Sequence, residues 1–280
     1  MSNNRSTHKK IIVFLSLAVL FLLITNYLAL RKLDLATRSI SPTEYIVEES
    51  ISDKSTPKKL AGRIVLVIDD FGYRNDTVSD GFLELGVSIT CAIIPGHEQS
   101  RKFAQKAKAA GQEVIIHMPM ESNIKNPGEE DYKIKTGMTS EEIEWRVGEV
   151  LKDIPEAVGM NNHQGSKATT DGKVMSVVGS VLKQHDKYFV DSRTSSKTVG
   201  EKTMRSLGVL TTRRHVFLDN DPDVKMISAQ LEQLVEMARK QGAALGIGHA
   251  RPNTLEVLKR EIPGLLEAGF QFEFASQIVN

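Results

Sequence analysis

The stretch Ile64–Gly72, which reads IVLVIDDFG, carries the strongest structural signal in this 280-residue chain. Five consecutive apolar residues, Ile64–Ile68, lead directly into two adjacent carboxylates, Asp69 and Asp70. An uninterrupted apolar run of this length is typical of a strand buried on both faces of a parallel sheet. Because such sheets bind ligands at the carboxyl ends of their strands, the two aspartates are candidate functional residues. The alternative is that one aspartate caps the next turn and the other is solvated.

From this strand to the C-terminus, apolar strand-like runs alternate with amphipathic helical patterns. The predicted strands are Ile64–Ile68, Val87–Ile94, Val114–His117, Val158–His163, Tyr188–Asp191, Val209–Thr212, Ala244–His249 and Phe270–Phe274. Helices are predicted over 99–110, from a capping box of Thr139 and Glu142, over 172–185, from Asp221 and Pro222 to 240, and from Asn253 with a break near Pro263. This alternation predicts an α/β fold with a parallel sheet, and its seven or more units favour a (β/α)7–8 barrel over an open doubly wound sheet.

Composition is that of an ordinary globular protein, with 40% hydrophobic and 25% charged residues. The formal net charge of +1 gives no electrostatic basis for binding nucleic acid, which we therefore do not expect as a partner. No GxGxxG motif follows the first strand, which argues against dinucleotide binding. The single cysteine, Cys91, can form no intramolecular disulfide and is expected to be a small buried hydrophobe.

The N-terminal residues predict a membrane anchor. After a head of residues 1–10, Ile11–Leu30 contains 20 residues without a charge, which is long enough to cross a bilayer core of about 30 Å. A cleaved signal peptide usually has a shorter apolar region, so an uncleaved single-pass signal anchor is favoured. A Ser-, Thr-, Pro-, Lys- and Glu-rich linker over 31–62 then leads to the domain at 63–280. We expect this domain on the extracytoplasmic side of the cytoplasmic membrane.

Polar residues suited to metal or proton chemistry recur where the predicted strands end. They are Asp69, Asp70, His97, His117, Glu121, His163, Asp191, Arg193, Arg213 and His249. In a barrel, all of these side chains converge on one face. Neutral imidazoles and carboxylates suit Zn²⁺ or a similar divalent ion, which would support metal-assisted hydrolysis. Each histidine taken alone has a simpler reading as a hydrogen-bonding loop residue.

The sequence resembles the NodB-type polysaccharide deacetylases, and most closely their divergent, membrane-anchored branch, over about Arg63–Asn280. The first strand of that family ends in a Phe-Asp-Asp-Gly motif, and this chain has IDDFG at 68–72, with one residue inserted before the glycine. The resemblance implies a NodB-like barrel in which Asp69 is the catalytic base and Asp70 is a metal ligand.

The second family motif places two metal-binding histidines four residues apart at the end of the third strand, after a Gly-x-Glu sequence. Here Gly-Gln-Glu at 111–113 precedes His117, and the residue four positions later is Glu121. Two completions of the metal site therefore remain open. Either Glu121 binds the ion through its carboxylate, or His163 in the sequence MNNHQGS supplies the missing ligand.

The late histidine motif of the family resembles GIGH at 246–249, which implies that His249 is the general acid. Asp191 resembles the acidic residue that orients this histidine. Arg193 and Arg251 are candidates for holding the catalytic base Asp69. The candidate substrate-binding residues are Arg193, Arg251 and Asn162.

The expected function is metal-dependent deacetylation of an N- or O-acetylated glycan of the cell envelope. A second hypothesis is a glycan-binding or scaffold protein of the same fold that has lost catalysis, because Glu121 departs from the metal motif. A third is another metal-dependent hydrolase on a (β/α) barrel, such as an amide hydrolase or a phosphoesterase, since these folds also gather histidines and aspartates at strand ends.

Overall fold

A computed structural model of the protein describes residues 22, 24–27, 60–125 and 127–280. The fold lies in the second of two compact units, Pro57–Asn280. Within the described residues, no helix is both long and apolar enough to cross a membrane. Most of the predicted anchor Ile11–Leu30, and nearly all of the predicted head and linker, lie outside the described residues, so these three assignments stay predictions.

The strands and helices of this unit alternate along the chain. The strands are β1 (Gly62–Phe71), β2 (Thr90–Ile93), β3 (Glu113–Met120), β4 (Gly159–Gln164), β5 (Tyr188–Asp191), β6 (Thr211–Arg213), β7 (Val216–Phe217), β8 (Ala243–His249) and β9 (Phe270–Glu273). The helices are α1 (Thr77–Leu83), α2 (Ser100–Ala109), α3 (Ser140–Asp153), α4 (Gly172–Gln184), α5 (Gly200–Leu207), α6 (Val224–Gln241) and α7 (Pro252–Glu267). The sequence patterns did not predict the two-residue strand β7 or the short helices α1 and α5.

The strands form one parallel sheet in the order β6-β5-β4-β3-β2-β1-β8-β7. Strand β9 pairs with the first half of β1, and β2 pairs with the second half. The sheet curls around a small inner apolar cluster, and because β6 and β7 do not pair with each other among the described residues, the resulting barrel is open on one side. The predicted parallel α/β architecture is thus confirmed.

The central strand β1 is buried on both faces, as its unbroken apolar run predicts. Val65 and Val67 point into the barrel, where they join a small apolar cluster. Ile64, Leu66 and Ile68 point outward and pack beneath the helices in the main core. This alternation follows from the two-residue period of a strand, and it carries the next residues of β1 to the carboxyl edge of the sheet.

The amino-terminal end of the barrel is closed by the C-terminal segment. Ala275 lies in the inner apolar cluster, and its backbone N–H donates to Thr90 Oγ1 at 2.9 Å. The buried carboxylate of Glu113 accepts from Tyr188 Oη at 2.7 Å and from Ser276 N at 3.2 Å. With this end filled, the opposite edge, where the strands terminate, is the end left for a ligand.

The predicted helix ends are partly confirmed. Thr139 and Glu142 form the expected capping box of α3. Helix α6 begins after Asp223, whose side chain accepts from two backbone N–H groups, so the predicted start at Asp221 and Pro222 is two residues early. Helix α7 starts at Pro252 rather than at Asn253. The predicted break near Pro263 is wrong, since α7 continues to Glu267. Pro263 cannot donate to the carbonyl oxygen of Lys259, but Lys259 is an exposed residue, where water can satisfy that oxygen.

Candidate metal centre and active site

The end of β1 bends so that Asp70 turns toward the barrel axis. The β1–β2 register shifts between Ile68 and Phe71, and Asp70 adopts a left-handed backbone with φ 68°. Such a conformation is uncommon for a residue other than glycine and often marks a functional site. Two residues on, Gly72 has φ 108°, and a Cβ there would lie 2.9 Å from the carbonyl oxygen of Ile94. The IDDFG sequence therefore encodes the turn as well as the two acids.

Asp70, His117 and His163 form the one group of three potential metal ligands found among the described residues, with ligand atoms all within 4.8 Å of one another. His117 Nε2 lies 3.5 Å from Asp70 Oδ1, and His163 Nδ1 lies 3.4 Å from the same oxygen. The two imidazole nitrogens are 3.0 Å apart. Asp70 Oδ1 is buried and has no hydrogen-bond partner. A buried carboxylate oxygen without a partner is costly unless a ligand satisfies it.

These distances fit a small divalent ion. Zinc with bonds of about 2.0–2.1 Å to nitrogen and oxygen in a tetrahedral shell separates its ligand atoms by roughly 3.3–3.5 Å. The three separations in the protein, 3.0, 3.4 and 3.5 Å, lie close to that range. Two imidazoles and one carboxylate are also a donor set that suits zinc and similar ions. The residues present therefore fit a metal ion.

Asn161 connects the group of potential metal ligands, which we call the metal cluster, to Asp69. Its Oδ1 lies 2.7 Å from His117 Nδ1, and its Nδ2 donates to Asp69 Oδ1 at 2.8 Å. Because an amide oxygen can only accept, His117 donates its Nδ1 proton to Asn161, and Nε2 is the nitrogen that faces Asp70 and His163. Asn161 thus sets the histidine tautomer that a metal ligand requires.

Asp69 is a buried carboxylate beside the cluster but outside the group of three. Its Oδ2 lies 3.6 Å from His117 Nε2, and the side chain is almost fully enclosed. Burial raises the pKa of Asp69, although the positive charges of His117 and His249 and the bond from Asn161 act against this rise. A carboxylate with a raised pKa is a stronger base, which suits a proton acceptor.

His249 faces the cluster from the end of β8. Its Nδ1 lies 2.8 Å from Asp219 Oδ1, while the other oxygen of Asp219 accepts from the His249 backbone N–H at 2.8 Å and from Thr254 Oγ1 at 2.6 Å. Three bonds thus hold the fully buried Asp219 carboxylate, which in turn directs His249 Nε2 toward Asp70 Oδ2, 3.9 Å away. This histidine is oriented in the way that a general acid requires.

Opposite charges dominate the electrostatics of the site. Burial lowers the pKa of His117, but Asp69 and Asp70 outweigh it and raise that pKa to about 9. Burial also opposes ionisation of Asp70, yet the adjacent imidazoles of His117 and His163, 3.5 and 3.4 Å from Oδ1, hold its pKa well below the usual range. At His249, burial lowers the pKa, and the bond and charge of Asp219 reverse the effect and raise it.

With this geometry established, comparison with known proteins identifies the family. The family model described as divergent polysaccharide deacetylase matches residues 66–279. The chain belongs to this family. The site residues described above, from Asp69 to His249, all lie within the matched region.

This divergent deacetylase-family chain is similar to one relative in sequence and to two solved structures in fold, as follows. The uncharacterized protein YibQ of Escherichia coli K12 is 36% identical over 206 residues, which are 74% of this chain and 64% of YibQ, so the chain spans less than two thirds of that relative. The crystal structure of an uncharacterized protein from Agrobacterium tumefaciens C58 has a TM-score of 0.72 at 18% identity, over 79% of this chain and 90% of that one. A T48 deacetylase solved with substrate has a TM-score of 0.50 at 13% identity, over 77% and 89%. These structures show a shared fold.

Two sequence-based assignments in this divergent deacetylase site are corrected by the geometry. The carboxylate bonded to His249 is Asp219, not Asp191, whose oxygens instead accept from Arg193 N, Thr198 Oγ1 and Glu201 N. Glu121 also lies outside the metal cluster. Its Oε2 accepts from the backbone N–H and hydroxyl of Thr136, and its Oε1 accepts from Lys167. His163, the other candidate, is the residue that joins Asp70 and His117.

The predicted substrate-binding residues have different environments. Asn162 is buried, and its side chain braces the loops after β4 and β5 by accepting from Ser192 N and donating to Gln164 O. Both the oxygen and the nitrogen of its side-chain amide are thus bonded to protein groups. Arg193 is partly exposed beside the site, and Arg251 is exposed at the start of α7. Of the other strand-end residues, His97 pairs with Glu129 and Arg213 pairs with Glu201.

Sequence reasoning missed three residues that shape the site: Asn161, Asp219 and Arg214. Arg214 donates to the carbonyl oxygens of Ser192 and Arg193, and the charge of Asp69 acts to raise its guanidinium pKa, against the stronger lowering by burial. Asp219 follows a strand too short to leave a pattern, and Asn161 carries no charge. The sequence did contain signals for two of these residues. Asp219 lies in the aspartate-rich LDNDPD at 218–223, and Asn161 lies two residues before His163.

Proposed function

We propose that this protein is a metal-dependent hydrolase that removes acetyl groups from a glycan of the cell envelope. The observation that carries the proposal is the buried, unpartnered Asp70 Oδ1 facing the imidazole nitrogens of His117 and His163 at 3.5 and 3.4 Å. Membership of the divergent polysaccharide deacetylase family supports an acetylated carbohydrate as the substrate.

The metal ligands in this proposal are Asp70, His117 and His163, and zinc is the ion that their donor set and spacing favour. When bound, the ion polarises the acetyl carbonyl and stabilises the negative charge that develops on its oxygen. Asn161 keeps His117 in the tautomer needed for ligation. Glu121 is not one of the metal ligands in this proposal, because its carboxylate has its own partners in Thr136 and Lys167.

We assign the proton transfers to two groups next to the proposed metal ligands. Asp69, buried and with a raised pKa, accepts a proton from the water that attacks the acetyl carbon. His249, held by Asp219, donates a proton to the nitrogen or oxygen that leaves as the C–N or C–O bond breaks. The products are acetate and a free amine or hydroxyl on the glycan. Asp69 Oδ2 lies 3.6 Å from His117 Nε2, and His249 Nε2 lies 3.9 Å from Asp70 Oδ2, so each group is next to a proposed metal ligand, as this division of roles requires.

The test combines metal analysis with acetate release from acetylated oligosaccharides such as chitotetraose and acetylated xylo-oligosaccharides. Substituting the proposed base, Asp69→Asn, should lower hydrolysis by about 10²–10⁴-fold while metal content is retained. Substituting a proposed ligand, His163→Ala, should lower both. Glu121→Gln is the matched control, because this residue is also a strand-end acid but lies outside the cluster, and it should retain the metal.

The same measurements separate the alternatives. A protein that binds the metal and the glycan but releases no acetate from any substrate would be a binding protein of this fold rather than an enzyme. Release of product only from model esters, amides or phosphates without sugar would assign a different metal hydrolase. If wild-type protein and His163→Ala contain equal metal, the proposed centre is wrong.

We further propose that residues 11–30 anchor the protein as a single-pass helix with the domain outside the cytoplasmic membrane, where an envelope glycan is accessible. The 20-residue uncharged run supports this proposal. Protease added to intact spheroplasts should digest the domain. Protection of the domain until the membrane is lysed would place it in the cytoplasm and overturn the proposal.

A further inference from the structure

A cleft of about 510 Å³, formed by the segments that follow β3 and β4, is lined by four lysines. We call it the lysine cleft. Its charged lining consists of Lys125, Lys133, Lys135 and Lys167 with Glu121 and Glu130. The whole chain has a formal net charge of only +1, so an excess of lysines in one cleft is a local feature and does not reflect a generally basic surface.

The lysine cleft lies on the same edge of the sheet as the metal cluster. Glu121, which forms part of its wall, follows β3 four residues after His117, a distance of about 13 Å along an extended strand. The loop after β4 joins the same wall, because Lys167 N donates to the carbonyl oxygen of Glu121 at 3.1 Å. Lys167 itself is four residues after His163. A chain molecule bound at the cluster can therefore extend into the cleft.

The two glutamates of the lysine cleft are already engaged by its lysines. Glu130 accepts from Lys133 at 2.9 Å and from Lys135 at 2.5 Å, while Glu121 Oε1 accepts from Lys167 at 2.8 Å. Lys125 is exposed and forms no ion pair with any described residue. Since each ammonium group carries three donors, an ion-paired lysine such as Lys135 or Lys167 can still donate to a bound anion. The excess positive charge suits a carboxylate or a phosphate.

We propose that the lysine cleft binds the acidic groups of the substrate, and that the substrate of this protein is an acidic glycan whose acetylated sugar lies at Asp70. This inference rests on the proposed deacetylase function and specifies its substrate class. An anionic membrane surface is the less favoured occupant, because the wall of the cleft includes Glu121 and Lys167, which follow the strands that carry the proposed metal ligands His117 and His163.

The test compares binding of three tetrasaccharides by the full-length chain, measured by calorimetry at low salt. The probes are chitotetraose, the tetrasaccharide of alternating N-acetylglucosamine and N-acetylmuramic acid, which adds only lactyl carboxylates, and chitotetraose carrying a 6-phosphate. At least one acidic probe should bind about tenfold more tightly than chitotetraose, with the difference shrinking as salt screens the charges. Which acidic probe binds more tightly distinguishes carboxylate from phosphate.

Two substitutions in the lysine cleft make the test specific. Lys125→Gln with Lys167→Gln should abolish the preference and leave chitotetraose binding within about twofold of wild type. Lys125→Gln alone changes an exposed side chain without an ion pair, so it should reduce the preference without affecting folding. Lys240→Gln is the control. Like Lys167, Lys240 forms an ion pair with a glutamate, but it lies at the C-terminal end of α6 and does not line the cleft.

Equal binding of all three tetrasaccharides by the wild type would overturn the inference. Lysine-dependent binding to anionic phospholipid vesicles, with no preference among the sugars, would also overturn it in favour of a membrane surface. Failure of the proposed enzymatic function is distinguishable, since binding is measured without hydrolysis. A lysine-dependent preference without acetate release refutes only the enzyme, whereas acetate release without any preference refutes only the inference.

Discussion

Replacing Asn161 with alanine should weaken metal binding without removing a metal ligand. In the structure, Asn161 Oδ1 and His117 Nδ1 are 2.7 Å apart, a short hydrogen bond that holds the imidazole with its Nε2 toward Asp70. Without the amide, the ring loses the partner that selects its tautomer, so some free energy of binding must be spent on reorienting His117. Loss of such an orienting partner typically lowers metal affinity by about 10–100-fold, or ~1.4–2.7 kcal/mol.

The adjacent asparagine provides a matched control. Asn161 and Asn162 are 0% and 1% exposed, and both side chains bridge neighbouring strands or loops. Asn162, however, bonds to Ser192 and Gln164 rather than to a residue of the cluster. Asn162→Ala should therefore lower thermal stability by a similar amount as Asn161→Ala, because each leaves buried polar groups unpaired, and it should leave metal affinity near the wild-type value.

The assay is competition for Zn²⁺ between the protein and a chromophoric chelator at fixed pH, with circular dichroism to verify that each variant is folded. Wild type and Asn162→Ala should give similar dissociation constants, and Asn161→Ala should give one about 10–100-fold larger. The reasoning is refuted if folded Asn161→Ala binds zinc within twofold of wild type, or if Asn162→Ala loses as much affinity. Either result would mean that the amide does not orient His117.

Two further predictions test the proton donor and the packing of the barrel. Asp219→Asn should lower acetate release by about 10²–10⁴-fold with metal content unchanged, because His249 loses the carboxylate that orients and charges it, and equal rates would show that Asp219 has no such role. Gly159→Ala should destabilise the fold by about 1–3 kcal/mol in a denaturant titration, since the new Cβ would lie 2.7 Å from the ring of Tyr188. Gly148→Ala, within α3 and with no atom within 4 Å of its Cβ, should instead stabilise by up to about 1 kcal/mol, and destabilisation there would contradict the packing argument.

The fold could be predicted largely from local sequence patterns because most of its strands carry their own burial signal. Apolar runs such as Ile64–Ile68 and the capping box at Thr139 describe short segments whose structure depends mostly on near neighbours. The limits of prediction lie at elements that depend on distant contacts. Strand β7 has only two residues, and it is held by pairing with β8 about 30 positions later in the chain. No window of sequence contains that information.

The site divides in the same way. From the sequence alone, the acids at the end of β1 and the histidines at the ends of β3, β4 and β8 were expected to converge, because the carboxyl ends of parallel strands meet on one edge. Residue type and position in the sequence are enough to identify each of these side chains as a polar group near a strand end. Whether Glu121 or His163 completes the group could not be decided, since both follow the strands closely and both can bind a divalent ion. The geometry places His163 with Asp70 and turns Glu121 toward Thr136.

The partner of His249 was decided only by strand order. Asp191 ends β5, a strand that the sequence predicts, whereas Asp219 follows β7, which the sequence does not predict, so only Asp191 was a candidate before the structure. In the folded sheet, β8 lies between β1 and β7, whereas β5 is separated from β8 by four other strands. Asp219, just after β7, is therefore beside His249, and Asp191 is not. The sequence determined which chemical groups reach the edge of the sheet, and the lateral order of the strands, which depends on long-range pairing, determined which of those groups meet.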